Sequence, residues 1–323
     1  MRPLSPLPDW VSLEHSVAQI LTQQELHGWY FDEPAAWELE SSLRKELEEL
    51  SRVLRNRHTY IGGSSFSPKR SNKRTGYIEG AEFTRLKELN PTSRDHAAWI
   101  LTTHYGWTPS SISSNGKPVV DEIILKDIGT DIALDFLRCL ELKKALGMIS
   151  EGVNAWLKLC TTSSRIHHRC SVATNTFRCS HRKPNLAQVP ADEKFRKLFK
   201  ASPHMVMCGA DLSGIELRIL SHYLAKYDDG RYADILINGD IHQVNADKIG
   251  ITRRAVKGVT YCFLYGGSAK RIGQTYDKQL SDNQATAKGK EIRDAFIKAI
   301  PGLSELLSAV KKRATTGKIL AID

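Results

Sequence analysis

Residues 252–265, TRRAVKGVTYCFLY, constrain this chain more than any other stretch. Helical spacing from Thr252 to Tyr265 and a closing Gly266-Gly267 pair predict one helix with a sharp end. Arg253, Lys257, Tyr261 and Tyr265 recur every fourth residue. Each such step drifts roughly 40° round a helix, so the four form one slanting stripe about 18 Å long. Val256, Val259 and Phe263 fall on the opposite side, which predicts a helix with one buried face and one chemical face. Two cations and two aromatics in a stripe suit a nucleoside triphosphate, with charge for the phosphates and rings for base and sugar. The same stripe also describes an ordinary solvated face. Upstream, VMCGADLSGIELRIL sets Asp211 after a short apolar run, residues 206–210, that reads as a buried strand. A carboxylate at a strand's end, just before a helix, can hold a divalent ion; it can equally be a turn or cap residue.

Composition narrows the partner. The 323 residues allow one large or two moderate domains, and 41% hydrophobic content is ample for a core. Lys and Arg number 46 against 36 Asp and Glu, a formal charge of +10 that favours a polyanion, nucleic acid or membrane surface. No run of about 18 apolar residues predicts a membrane span, and MRPLSPLPDW lacks the apolar core of a signal peptide. Six cysteines without Cys-x-x-Cys spacing predict reduced thiols in a cytoplasmic protein and no structural zinc.

Most of the chain reads as helix. Leu13, Val17, Ile20 and Leu21 predict a first helix ending near Gly28. Asp32 and Pro34 then open a long helix carrying Ala36, Leu39, Leu43, Leu47, Leu50 and Leu54. Between residues 56 and 80 the pattern is lost. SSFSPKRSNKRTG gathers Lys69, Arg70, Lys73 and Arg74 into what reads as either a flexible loop or a contact for a DNA backbone. Residues 95–105, 130–159, 215–227 and 284–312 read mainly helical.

DLSGIELRIL resembles motif A of the family A DNA polymerases, the DNA polymerase I family, and RRAVKGVTYCFLYGG resembles their motif B. GDIHQVN, residues 239–245, is similar to the segment leading into motif B. TFRCSHRKPNLAQVP, residues 176–190, is similar to the family's Thr-Gly-Arg, Pro-Asn-Leu and Ile-Pro run. NPTSRDHAAWIL, residues 90–101, resembles a segment of the replicative polymerases of short-tailed bacteriophages, and the similar stretches together cover residues 12–323. The resemblance implies an α+β, mostly helical chain with a partial right-hand fold. Residues 1–160 would be thumb-like, with a basic loop near 62–76; 161–230 part of the palm; 231–323 part of the fingers.

The resemblance also implies the chemistry: transfer of a deoxynucleotide from its triphosphate to a primer 3′ end on a template, in phage-type replication within a bacterial host cell. Mg²⁺ is the implied cofactor, held by Asp211 and the carbonyl of Leu212. Arg253 and Lys257 match the phosphate-gripping pair, and Lys257 matches the donor of a proton to departing pyrophosphate. Tyr261 matches the aromatic near the incoming sugar and base. Glu216 matches the residue that crowds a ribose 2′-hydroxyl, His242 a histidine that reaches the triphosphate, and Tyr265 a residue near the template, or a helix-end tyrosine. Arg178, Asn185 and Gln188 match minor-groove contacts, where shared acceptors let donors test pairing without reading sequence. Phe177 replaces the family's glycine before that arginine.

Motif C, the family's His-Asp-Glu hairpin with the second metal-binding aspartate, has no match here, nor does a preceding exonuclease. After motif B only Asp277, Asp282, Asp294 and Asp323 remain, none in that context. The first expectation is therefore a polymerase piece completed by a second polypeptide that supplies motif C. The alternatives are a non-catalytic primer-template binding fragment or decayed remnant, and a single-subunit RNA polymerase, against which Glu216 and its SGIEL context argue.

Overall fold

A computed structural model describes residues 8–113, 115–174, 178–277 and 280–316. The chain forms two compact units that meet in sequence between Cys208 and Gly209. Phe177, Asp323 and the first seven residues lie outside the described residues.

The first unit holds α1 (Asp9–His27), β1 (Trp29–Phe31), α2 (Glu33–Arg57), β2 (Tyr60–Phe66), β3 (Phe83–Glu88), α3 (Arg94–Tyr105), α4 (Glu122–Ile128) and α5 (Asp131–Leu146). A single π-helical turn at Gly147–Glu151 follows, then α6 (Trp156–Leu159), β4 (Arg165–Ile166), β5 (Arg169–Ser171), β6 (Ser180–Arg182), α7 (Glu193–Arg196) and β7 (Phe199–Lys200). The regularly spaced leucines of α2 work as expected: Leu43 and Leu54 are buried, while the charged residues between them face water. Asp32 caps α2 by accepting from the Ala35 amide, and its carboxylate pairs with Lys200. That ammonium holds the Asp32 carboxyl below the usual range. β1 is the middle strand of an antiparallel sheet in the order β4-β1-β7, with Tyr30 facing Arg165 on one side and Lys200 on the other. Two apolar clusters fill the unit. One joins Leu54, Ile61, Leu101, Leu125 and Phe136; the other joins Phe31, Leu43, Leu146, Trp156 and Phe195.

The patternless region of the sequence contains a two-stranded ribbon. β2 and β3 pair antiparallel from Tyr60–Glu88 to Phe66–Phe83, with an irregularity between Gly62 and Ser65. YIGGSSF has little intrinsic strand preference. It becomes a strand because a partner lies alongside it, and because Phe66, Tyr77 and Phe83 stack within 4.9–6.1 Å of one another at the ribbon's end.

The second unit is all helix among the described residues: α8 (Ile215–Asp228), α9 (Arg231–Asn238), α10 (Ile241–Ile249), α11 (Arg253–Leu264), α12 (Ala269–Tyr276), α13 (Asp282–Ala299) and α14 (Leu303–Thr315). Leu217, Leu220, Leu224, Tyr232, Phe296 and Leu303 form its main core; Val259, Ile272 and Ile292 form a second. A capping box opens α13, where Ser281 and Gln284 exchange side-chain and backbone bonds. Two glycines let α12 and α13 touch backbone to backbone. A Cβ on Gly289 would lie 1.7 Å from the Ala269 carbonyl oxygen, and one on Gly273 would lie 1.9 Å from that of Ala285.

Candidate nucleotide site

The motif B helix forms as its spacing predicts. Thr252 caps α11 by accepting from the Ala255 amide, and the turn closes where Gly266 adopts φ +72° and donates to the Phe263 carbonyl. Val256 and Val259 are buried, and the Phe263 ring packs 4.8 Å from that of Phe296. Arg253, Lys257 and Tyr265 are exposed and Tyr261 is half-buried, so the stripe faces outward along one side.

α10 brings the GDIH segment to this helix. Asp240 caps α10, accepting from the amides of His242 and Gln243 at 3.1 Å each, and its second oxygen accepts from Arg253 Nε at 2.8 Å. The guanidinium holds the Asp240 carboxyl below its ordinary value. The His242 ring lies 6.4 Å from that of Tyr261, and its Nδ1 is buried without a hydrogen-bond partner among the described residues. Burial lowers the His242 pKa; Asp240 opposes that, and Lys257 and Arg253 add to it. Its surroundings thus favour the neutral imidazole.

The start of α8 meets the other end of the stripe. Gly214 takes a left-handed turn into the helix, Arg218 Nε donates back to the Ser213 carbonyl at 2.8 Å, and Glu216 falls in the first turn. Tyr265 Oη donates to Glu216 Oε1 at 2.8 Å. The second unit thus brings together Glu216, His242, Arg253, Lys257, Tyr261 and Tyr265, drawn from three separate sequence segments.

The segment before Asp211 departs from the sequence expectation. Residues 206–210 are not a strand and are not buried: Val206 is 91% exposed. An apolar run becomes a strand only when another backbone pairs with it, and no strand among the described residues does so. Asp211 and Leu212 are likewise exposed, in an irregular stretch. Among the described residues no group of three or more His, Cys, Asp or Glu side chains gathers to hold a metal. What the stretch offers is the exposed Asp211 carboxylate, a hard oxygen ligand of the kind Mg²⁺ takes.

In the first unit, Arg178, Asn185 and Gln188 are all exposed. Arg178 lies two residues before β6, and Asn185 and Gln188 bracket a short 3₁₀ turn at Leu186–Gln188. The ribbon adds cations: Lys69, Arg70, Lys73, Arg74, Arg85 and Lys87 are exposed and make no ion pair among the described residues. Arg85 stacks 4.9 Å over Phe66. Sequence reasoning passed over Asp240; its signal was an acidic cap ahead of a histidine-bearing helix.

The fold matches part of a polymerase domain. It superposes on the POL domain of Pol1 from M. smegmatis, solved in complex with DNA primer-template and dNTP, with a TM-score of 0.64 at 18% identity, covering 92% of this chain and 49% of that one. The family profile of DNA polymerase family A matches residues 68–321, and the chain belongs to that family. Among its relatives are the DNA-directed DNA polymerases of Escherichia phage T7 and Enterobacteria phage T3, each 31% identical over 94% of this chain and 51% of the relative. The thermostable DNA polymerase I of Thermus filiformis is 28% identical over 81% of this chain and 30% of its own length. The chain thus spans about half the length of the phage relatives it matches. No helix among the described residues is long and apolar enough to cross a membrane.

Proposed function

We propose that this chain carries the nucleotide-binding side of a template-directed DNA polymerase, which joins a deoxynucleoside triphosphate to a primer 3′ end. The observation that carries this reading is the convergence of Arg253, Lys257, His242 and Tyr261 on one face of the second unit, with Glu216 tied to Tyr265 beside it. Arg253 and Lys257 grip the phosphates; Lys257 is the group placed to give a proton to the leaving pyrophosphate. Tyr261 supports sugar and base. Glu216, its carboxylate fixed by the Tyr265 hydroxyl, crowds a ribose 2′-hydroxyl. Tyr265, at the helix end, lies toward the template.

Mg²⁺ would be held by the Asp211 carboxylate and the Leu212 carbonyl; bound there, it supplies charge neutralisation for a triphosphate and a more acidic primer hydroxyl. The second metal-binding aspartate of the family has no match in these residues. The two-metal step is therefore proposed for an assembly in which motif C is supplied, by further chain or by a second polypeptide. Residues 1–160 serve as thumb, 161–230 as part of the palm and 231–323 as part of the fingers, with Arg178, Asn185 and Gln188 on the primer-template minor groove. That the phage relatives are DNA-directed DNA polymerases supports this reading.

A second reading, a non-catalytic primer-template binding protein, is favoured by the six cations of the β2–β3 ribbon that no described acidic residue pairs. One titration separates the two. With a primed hairpin DNA, Mg²⁺ and a fluorescent deoxynucleoside triphosphate, the first reading expects nucleotide binding that Asp211→Ala and Lys257→Ala each weaken. DNA binding without any nucleotide affinity refutes it and leaves the second.

A further inference from the structure

We infer that Asp240 is a positioning residue that aims Arg253 at the triphosphate; the inference rests on the nucleotide-site reading above. The Asp240 carboxylate is tethered by its own helix. As the cap of α10 its Oδ1 is held by two backbone amides, so its Oδ2 points in a direction set by the helix rather than by a free side chain. That oxygen takes the Nε–H of Arg253. Nε is the inner edge of the guanidinium. A bond there leaves the outer fork, Nη1 and Nη2 with four N–H groups, for an anion that matches planar, bidentate geometry.

The carboxylate does not simply compete with phosphate for the arginine. Its charge is shared with the amides at the positive end of α10, so the guanidinium keeps most of its pull on a second anion. The same carboxylate also fixes the His242 backbone, and through it a ring whose Nδ1 is buried and unpartnered among the described residues. One side chain thus couples the first turns of α10 and α11, and the two phosphate-side residues, His242 and Arg253, share a single joint.

The test is a double-mutant cycle on the full chain, with dATP and Mg²⁺ as the probe. Asp240→Asn keeps a capping oxygen, since Asn caps helices as well as Asp. It puts an amide NH₂ where Oδ2 accepted from arginine. The expected result is an unchanged melting temperature for Asp240→Asn, a Kd about tenfold weaker, and an Arg253→Ala Kd about thirtyfold weaker. The double variant should bind no more weakly than Arg253→Ala alone. Deoxyadenosine, which has no phosphates, should compete equally in the wild type and in Asp240→Asn. Losses that multiply in the double variant, or an unchanged Kd in Asp240→Asn, overturn the inference while leaving the nucleotide site standing. A wild-type chain that ignores dATP defeats the nucleotide-site reading and this inference with it.

Discussion

Gly289→Ala adds one methyl group where α12 and α13 meet backbone to backbone. Its Cβ would sit 1.7 Å from the Ala269 oxygen, 2.6 Å from the carbonyl carbon and 2.9 Å from the Gly273 nitrogen. All three are backbone atoms, so no rotamer change relieves the clash. Real Cβ atoms essentially never come closer than 3.0 Å, so α12 and α13 must separate by more than about 1 Å. A gap of that size forfeits about a quarter to a half of the dispersion energy of the side chains it opens, here Ile272 and Ile292. Overpacking of this kind costs about 3 kcal/mol at the upper end of its usual range, and replacing a mid-helix glycine by alanine returns about 1 kcal/mol, for a net loss of about 2 kcal/mol. The effect extends to function because Val259, on the buried side of α11, belongs to the same small cluster as Ile272 and Ile292. Moving α12 removes the support behind the stripe. Urea unfolding of the full chain should show a lower midpoint, and triphosphate affinity should fall although every residue of the site is unchanged. A variant that melts at or above the wild type would show that these helices do not meet as described.

Lys257→Ala should weaken triphosphate binding by about tenfold or more while duplex affinity stays near normal; equal weakening of both would mean misfolding. Replacing Lys69, Arg70, Lys73 and Arg74 together by Gln should flatten the dependence of DNA affinity on salt, by about 0.9 in logarithmic slope for each phosphate those four side chains neutralise. An unchanged slope would remove the ribbon from the DNA interface. His168 is 1% exposed, stacks 5.2 Å from His181, and has neither ring nitrogen hydrogen-bonded among the described residues. Burial, then the nearby His181, lower its pKa. The unfolded chain therefore binds the proton more readily, and stability falls as pH drops below about 6.5, the decline being complete below the lowered folded value. His168→Phe should raise stability at neutral pH by about 1 kcal/mol and reduce the acid sensitivity. Denaturation midpoints at several pH values check this, and an equal acid decline in both proteins would refute it.

The amino-acid sequence by itself determined the helices and the residue types of the site. Period and the caps at Asp32 and Gly266 are local properties, readable because each involves neighbours within a turn. The identity of motifs A and B was equally legible. Tertiary structure decided everything that needs a distant partner. YIGGSSF is a strand only because Phe83–Glu88 lies beside it, and residues 206–210 are not one because nothing among the described residues pairs with them. Asp240 drew no notice in the sequence because its partner Arg253 lies thirteen residues on, and Glu216 and Tyr265 meet across forty-nine positions. Hydrogen bonds and packing between segments depend on where the backbone turns in space, which no local pattern encodes.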